Sequence, residues 1–316
     1  MPEHKIYQFR EYNIGEKLIE ILDPILNKIH PYVPGEIFPA YFIYDFFQRP
    51  LIAAVIVAMV AGFLGTFLLI RNLALLGDGL AHVSFGGIAI GLAFGGVGPL
   101  WTALVLSTIA AIIIDQLQAR ELLTGDASIA IFLTGTLGLG LVILRIYGGS
   151  AQSTVDSYLW GSLNLIDIDS FDFILKISIL GYVSLVVLYQ ILLSISIDPI
   201  SARVQGLPVR AVGLYFSIIT AAIIVSMVQI VGVLLVTALI VTPAATAQLI
   251  GKSFRSCVIL SQVIGVITVI LGIYFSAENQ TGSGSMIALV SAIVFTLVLL
   301  LKLTIGYVVK PKENMN

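Results

Sequence analysis

Asp78 and His82 stand four residues apart in the stretch Arg71-Asn-Leu-Ala-Leu-Leu-Gly77-Asp78-Gly79-Leu-Ala-His82-Val-Ser-Phe-Gly86-Gly87. On a helix they fall about 40° from each other, on one face. A carboxylate and an imidazole on one face can hold a divalent first-row metal ion. The same pair also fits a helix start capped by Asp78 with a hydrogen-bonded His82 behind it, and D-x-x-x-H alone does not separate the two. The setting adds weight to the first. His82 is the only histidine after residue 50, and Asp78 lies about seven residues into the apolar run that follows Arg71. Ionisable groups inside a bilayer are costly and by default mark a pathway. Gly87, Gly91 and Gly95 continue the same helix at four-residue steps. They fall about 180–260° round from Asp78, where they would let a neighbouring helix approach closely.

Two further polar stretches stand out. Asp198-Pro-Ile-Ser-Ala202-Arg-Val-Gln-Gly206-Leu-Pro208-Val-Arg210 has a good helix start in Asp198 before Pro199 and a good stop in Gly206 with Pro208. It reads as a short helix of about eight residues lying along the membrane surface, either a connector or a lever for a cytoplasmic protein. Thr242-Pro243-Ala-Ala-Thr246 sits inside an apolar run. Proline there frees a carbonyl that Thr242 or Thr246 could satisfy, and broken helices in membranes often line a cavity.

The elements that must position these residues are membrane spans. Of the 316 residues, 58% are hydrophobic and 11% charged, against about 45–50% and about 25% in soluble domains. A soluble enzyme, a disordered chain and a nucleic-acid binder are excluded. So is a single anchor, because apolar sequence runs from residue 50 to the end. At about 20 residues per span, the sequence predicts an all-α polytopic protein with about nine transmembrane helices, near 50–70, 76–96, 100–119, 127–147, 172–194, 211–228, 230–250, 256–276 and 285–307. Residues 211–250 carry no charge. As one helix they would reach roughly 60 Å, twice the hydrocarbon thickness, so the chain must fold back, and Gln229 to Gly232 is the expected bend.

Residues 1–48 differ from the membrane-spanning remainder, 49–309, and from the tail, 310–316. The first 50 hold 12 of the 34 charged residues. Leu18, Ile21, Leu22, Ile25 and Ile29 form an amphipathic stripe, with Pro24 as an expected kink, that suits the membrane interface and its lipid. Numbering the loops alternately puts Arg71, Arg120, Arg203, Arg210, Lys252, Arg255, Lys310 and Lys312 on one side. By the basic-residue rule that side is cytoplasmic. The C-terminus is then inside and the N-terminus outside. Asp115 falls near the cytoplasmic end of its span. The single cysteine, Cys257, excludes a disulfide within the chain and a cysteine-ligated zinc or iron–sulfur centre. No P-loop, H-E-x-x-H, G-x-S-x-G or C-x-x-C is present, so the chain reads as a non-enzyme with no nucleotide site and no permanent cofactor.

Taken together, Arg71 to Gly87, Tyr158-Leu-Trp160-Gly161-Ser162-Leu, Asp198 to Val209 and Val231 to Ala247 resemble the permease subunit of the bacterial and archaeal ABC importers for manganese, zinc or iron (ABC-3 type). The resemblance is more distant to the vitamin B12 and siderophore permeases. It covers about residues 48 to 307 and implies a type II-like ABC importer permease fold in a prokaryotic cell membrane. It further implies a homodimer with the ion pathway on its two-fold axis, with Asp78 and His82 as metal ligands. Cytoplasmic ATP-binding subunits would carry the ATP and grip a coupling helix containing Asp198, Ala202, Gly206 and Pro208. An extracytoplasmic metal-binding protein would deliver the ion. The family often has proline where Phe85 stands, and Gly79 is expected to loosen the turn between the two ligands. The competing reading is a secondary transporter coupled to protons or sodium. Such proteins usually carry several membrane acids, whereas here only Asp78 and Asp115 are expected within spans.

Overall fold

The computed structural model describes residues 14–95, 98–147, 152–163 and 166–309, and every regular element among them is a helix. In chain order these are α1 (Ile14–Ile29), α2 (Ala40–Ile43), α3 (Asp45–Ile70), α4 (Ala74–Phe94), α5 (Pro99–Ala119), α6 (Gly125–Tyr147), α7 (Gln152–Trp160), α8 (Ile168–Val187), α9 (Tyr189–Ile197), α10 (Pro199–Val204), α11 (Val209–Val231), α12 (Val236–Ile250), α13 (Phe254–Glu278) and α14 (Ser283–Val309). Nine of them, α3 to α6, α8 and α11 to α14, are long and apolar enough to cross a bilayer. The tail from residue 310 lies outside the described residues.

α3 and α4 form the buried centre. α4 packs between α5 and α6 and against α11 and α12, while α3 packs on α8, α12 and α13. Lipid is as apolar as leucine, so helices in a bilayer associate through close backbone approach. Here a Cβ added to Gly87 would stand 2.5 Å from the Ala103 Cα of α5, and one added to Gly62 would stand 2.7 Å from the Ser261 carbonyl oxygen of α13. Gly65 lies equally tight against the Ile240 carbonyl of α12. At the α3–α13 crossing, Thr66 Oγ1 and Ser261 Oγ are 3.0 Å apart, and Ser261 donates to the Gly62 carbonyl at 2.7 Å.

The expected fold-back falls at Gly232, whose φ of 87° is left-handed and ends α11. Gly161, with φ of 78°, and Gly284 of α14 both press against the Val231 carbonyl there. The Ser162 amide donates to the Gln229 carbonyl at 3.2 Å. The Tyr158 to Leu163 motif therefore braces the α11–α12 reversal.

Three boundaries differ from the sequence reading. The first span begins at Asp45 and runs through Pro50. The span expected at 172–194 is two helices, because Leu188, with φ −88° and ψ 2°, interrupts the helical path between α8 and α9. α1 is continuous through Pro24, and its apolar stripe divides. Ile19 is buried and Leu18, Leu22 and Leu26 pack on the core, while Ile21, Ile25 and Ile29 are exposed. The stripe is wider than one face because the helix is apolar on two sides.

Residues 14–44 are strapped to the bundle by two of its carboxylates. Asp172 of α8 accepts from the Gly15 amide at 3.2 Å. Glu278, ending α13, accepts from the amides of Glu36, Ile37 and Phe38 at 2.9–3.1 Å. Phe38 adds an edge-on contact to Tyr274, 5.3 Å between ring centres.

Gly65→Ala should destabilise the bundle by about 1–3 kcal/mol, the usual cost of overpacking. Thermal unfolding in detergent should show a lower Tm. Gly138→Ala on α6, where an added methyl meets nothing within 4 Å, should leave Tm unchanged or raise it.

Candidate functional site

Asp78 lies in the second turn of α4 and His82 one turn further on. His82 Nε2 is 3.9 Å from Asp78 Oδ1, too long for a hydrogen bond. The two groups nevertheless face each other across a gap that two metal–ligand bonds of about 2.1 Å could bridge. The His82 side chain is 11% exposed and Asp78 34%, so the imidazole is sheltered and the carboxylate opens outward. His82 Nδ1 is buried without a hydrogen-bond partner. Asp78 does not cap α4. Instead Thr237, in the first turn of α12, donates its hydroxyl to Asp78 Oδ1 at 3.1 Å. That leaves Oδ2 without a hydrogen-bond partner among the described residues and fixes the carboxylate's direction. Thr237 lay within the motif Val231 to Ala247, yet its tie to Asp78 depends on a fold-back that sequence spacing does not reveal. Among the described residues, no third His, Cys, Asp or Glu joins the pair in a group that could hold a metal ion.

Gly79 does not loosen a turn between the two residues. α4 is continuous, and Gly79 is buried where an added Cβ would strike Ile129 of α6. Gly87 and Gly91 pack on α5 as expected. Gly95 does not: it ends α4 with φ of 66°, and a Cβ there would meet nothing within 4 Å. Pro243 does not break α12, which runs on to Ile250. Its ring is buried and approaches Gly265 of α13, while Thr246 Oγ1 donates to the Thr242 carbonyl at 2.7 Å. The real interruption comes earlier, in the turn at Val233–Leu235.

α10 has six residues rather than eight. Asp198 Oδ1 accepts from the amides of Ile200 and Ser201 at 2.9 and 3.1 Å, and the Ser201 hydroxyl donates to Oδ2. Gly206, at φ 83°, turns the chain out of the helix, and the Leu207 amide donates to the Ala202 carbonyl at 3.1 Å. Ala202 is buried, whereas Ile200 is 77% and Val204 83% exposed. The outer face of α10 is thus apolar while its flanks are polar.

The basic loops gather at one end of the bundle. Phe254, opening α13, packs edge-on to Phe67 of α3 and tilted against Tyr189 of α9, and Arg210 Nη2 donates to Gln116 Oε1 of α5 at 3.1 Å. Lys302 Nζ donates to the Leu249 carbonyl at 2.6 Å. The other end holds an acid-rich cavity of about 760 Å³, where Asp167, Asp169, Asp172 and Glu16 stand with Lys176, the ion-pair partner of Asp172, and with Trp101 and Tyr158. Burial, and then the nearby Asp167 charge, push the Tyr158 phenol up to about 12.

Residues 43–302 match the ABC 3 transport family, and the chain belongs to that family. It is a multi-pass membrane permease, a transport subunit rather than a catalytic protein. It is 31% identical over 261 residues to the manganese transport system membrane protein MntC of Halalkalibacterium halodurans, covering 80% of this chain and 86% of the relative. It is 30% identical to the manganese import system permease protein ScaB of Streptococcus parasanguinis, covering 86% and 94%. Among solved structures it resembles PsaBC from Streptococcus pneumoniae in complex with Fab, with TM-score 0.73, 27% identity, and coverage of 81% of this chain and 91% of that one.

Hydrogen bonds from the Ser201 hydroxyl and amide and from the Ile200 amide hold the Asp198 carboxyl below the usual carboxylate range. A lowered folded pKa adds stability above the unfolded value of about 3.9 and loses it as pH falls through the folded one. The α10 cap should therefore persist throughout the neutral range. Hydrogen exchange at Ile200 and Ser201 should accelerate in Asp198→Ala at pH 7 and much less in Asp198→Asn.

Proposed function

We propose that this chain passes a divalent transition-metal ion (manganese, zinc or iron) through the membrane for an ATP-driven importer, with Asp78 and His82 as its ligands. The observation that carries the reading is the facing carboxylate and imidazole, 3.9 Å apart on the buried α4 and oriented by Thr237. The manganese named for the relatives supports the metal class.

One chain supplies a single oxygen–nitrogen pair, which is too few for a first-row ion. Two copies about a two-fold axis would supply two oxygens and two nitrogens, with water completing the shell. A passage site must release its ion, so a sparse, half-open ligand set suits it better than a closed cage. Thr237 acts through Asp78 as a positioning residue. The acid-lined cavity would face an extracytoplasmic binding protein and raise the local cation concentration. The basic end would face the cytoplasm, where an ATPase subunit carrying ATP would cover Ile200 and Val204. The exposed stripe of α1 would lie in the lipid interface, and the N-terminus would be outside.

Proteoliposomes holding the permease with its ATPase and binding protein test the reading through Mn²⁺ uptake. Asp78→Asn and His82→Ala should each lower uptake by more than about tenfold while leaving the complex assembled. Thr237→Val, which alters only a partner of the ligand, should cost about 10–100-fold in metal affinity. Wild-type transport in both Asp78→Asn and His82→Ala would reduce the pair to a structural feature of α4.

A further inference from the structure

Arg71 closes α3, and its guanidinium turns inward rather than to water. Its amide donates to the Phe67 carbonyl at 3.1 Å, Asn72 takes a left-handed φ of 55°, and the Leu73 amide returns to the Leu68 carbonyl at 2.8 Å. This short reversal leads directly into α4, two turns before Asp78. The Arg71 Cζ lies 4.7 Å from the ring centre of Phe216 on α11. Phe216 is buried, and Gly213 one turn earlier lies beside the guanidinium, its Cβ position 3.9 Å from an Arg71 Nη, an ordinary contact distance. Asp115 of α5 is the acid whose charge Arg71 feels, and it accepts from Ser217 of α11 at 3.2 Å. Arg71 Nη1 is nonetheless buried with no hydrogen-bond partner.

These contacts join the exposed face of α10 to the start of α4. The Leu207 amide bonds the Ala202 carbonyl at 3.1 Å, and the Val212 amide bonds the Pro208 carbonyl at 3.0 Å. Movement of α10 therefore carries the first turns of α11. Apolar surfaces of α11 and α4 can slide past each other at small cost. A desolvated, stacked guanidinium cannot, because its planar face and its donors fit few positions. A buried donor left unmade is also costly, and Asp115 is the acceptor that a small shift of the α3–α4 corner toward α5 would offer to Nη1.

We propose that Arg71 is a positioning residue for ion passage: a latch with two arrangements, stacked on Phe216 or paired with Asp115, that passes movement of the α10–α11 corner into α4 and so to Asp78 and His82. The proposal rests on the transport reading above and adds the route by which ATP hydrolysis reaches the site.

The experiment uses the reconstituted complex and counts ATP hydrolysed per Mn²⁺ delivered, together with Mn²⁺ retained by the complex without ATP. Arg71→Lys keeps the charge and loses the planar stack, Phe216→Leu keeps the bulk and loses the ring, and Phe216→Tyr keeps the ring. The first two should raise ATP per ion at least about fivefold, the lower range of coupling between sites, with Mn²⁺ retention unchanged. Phe216→Tyr should keep the wild-type ratio. An unchanged ratio in both Arg71→Lys and Phe216→Leu would overturn the latch, as would loss of Mn²⁺ retention or of assembly in both. Failure of the ion-site reading is seen separately, as wild-type uptake in Asp78→Asn, whatever the Arg71 variants do.

Discussion

In a bilayer, an apolar side chain gains little by leaving lipid for a neighbouring helix, so this bundle depends on places where backbones can touch. The α3 glycines admit α12 and α13, and those of α4 admit α5. Each approach removes a side chain from between two helices and replaces it with main-chain contact. α4 becomes nearly inaccessible as a result, and a helix so enclosed can carry an aspartate and a histidine without exposing either to lipid. The glycine contacts and the polar pair are two halves of one arrangement: one side of α4 is fixed so that another can open.

The fold was legible because hydrophobic run length and basic loops report spans directly. The bend near Gly232 followed from length alone, since no uncharged helix of that reach fits the hydrocarbon. Boundaries failed where a single local rule was given too much weight. Pro50 suggested a start, yet it lies inside a continuous helix. A proline forfeits one hydrogen bond, and close packing on several sides outweighs it. The break at Leu188 carries no such residue and left no mark in the sequence.

The pair Asp78 and His82 was legible from spacing, because four residues on a helix fix a common face. Thr237 was not, since it reaches Asp78 only after the chain reverses at Gly232 and descends beside α4. Gly79 and Gly95 show the same limit. A glycine in a helix can be a packing contact, a cap or a weak point, and only the neighbours decide which. Ile129 decides it for Gly79, and open space decides it for Gly95.

The strap formed by residues 14–44 lies almost wholly outside the family match, which begins at residue 43. Most of its polar attachments run one way: the carboxylates of Asp172 and Glu278 in the bundle accept from main-chain amides of the strap, and only Asp23 of the strap contributes a carboxylate, accepting from Gln48 Nε2 of α3 at 2.8 Å. Main-chain amides are common to nearly every sequence, and the apolar contacts around Phe38 ask chiefly for bulk. Substitution can therefore accumulate along most of the strap, Asp23 aside, while its path is kept, whereas the two acids of the bundle that hold it have no such latitude. A segment anchored in this way can diverge, lengthen or be exchanged between relatives without redesign of the helices beneath it.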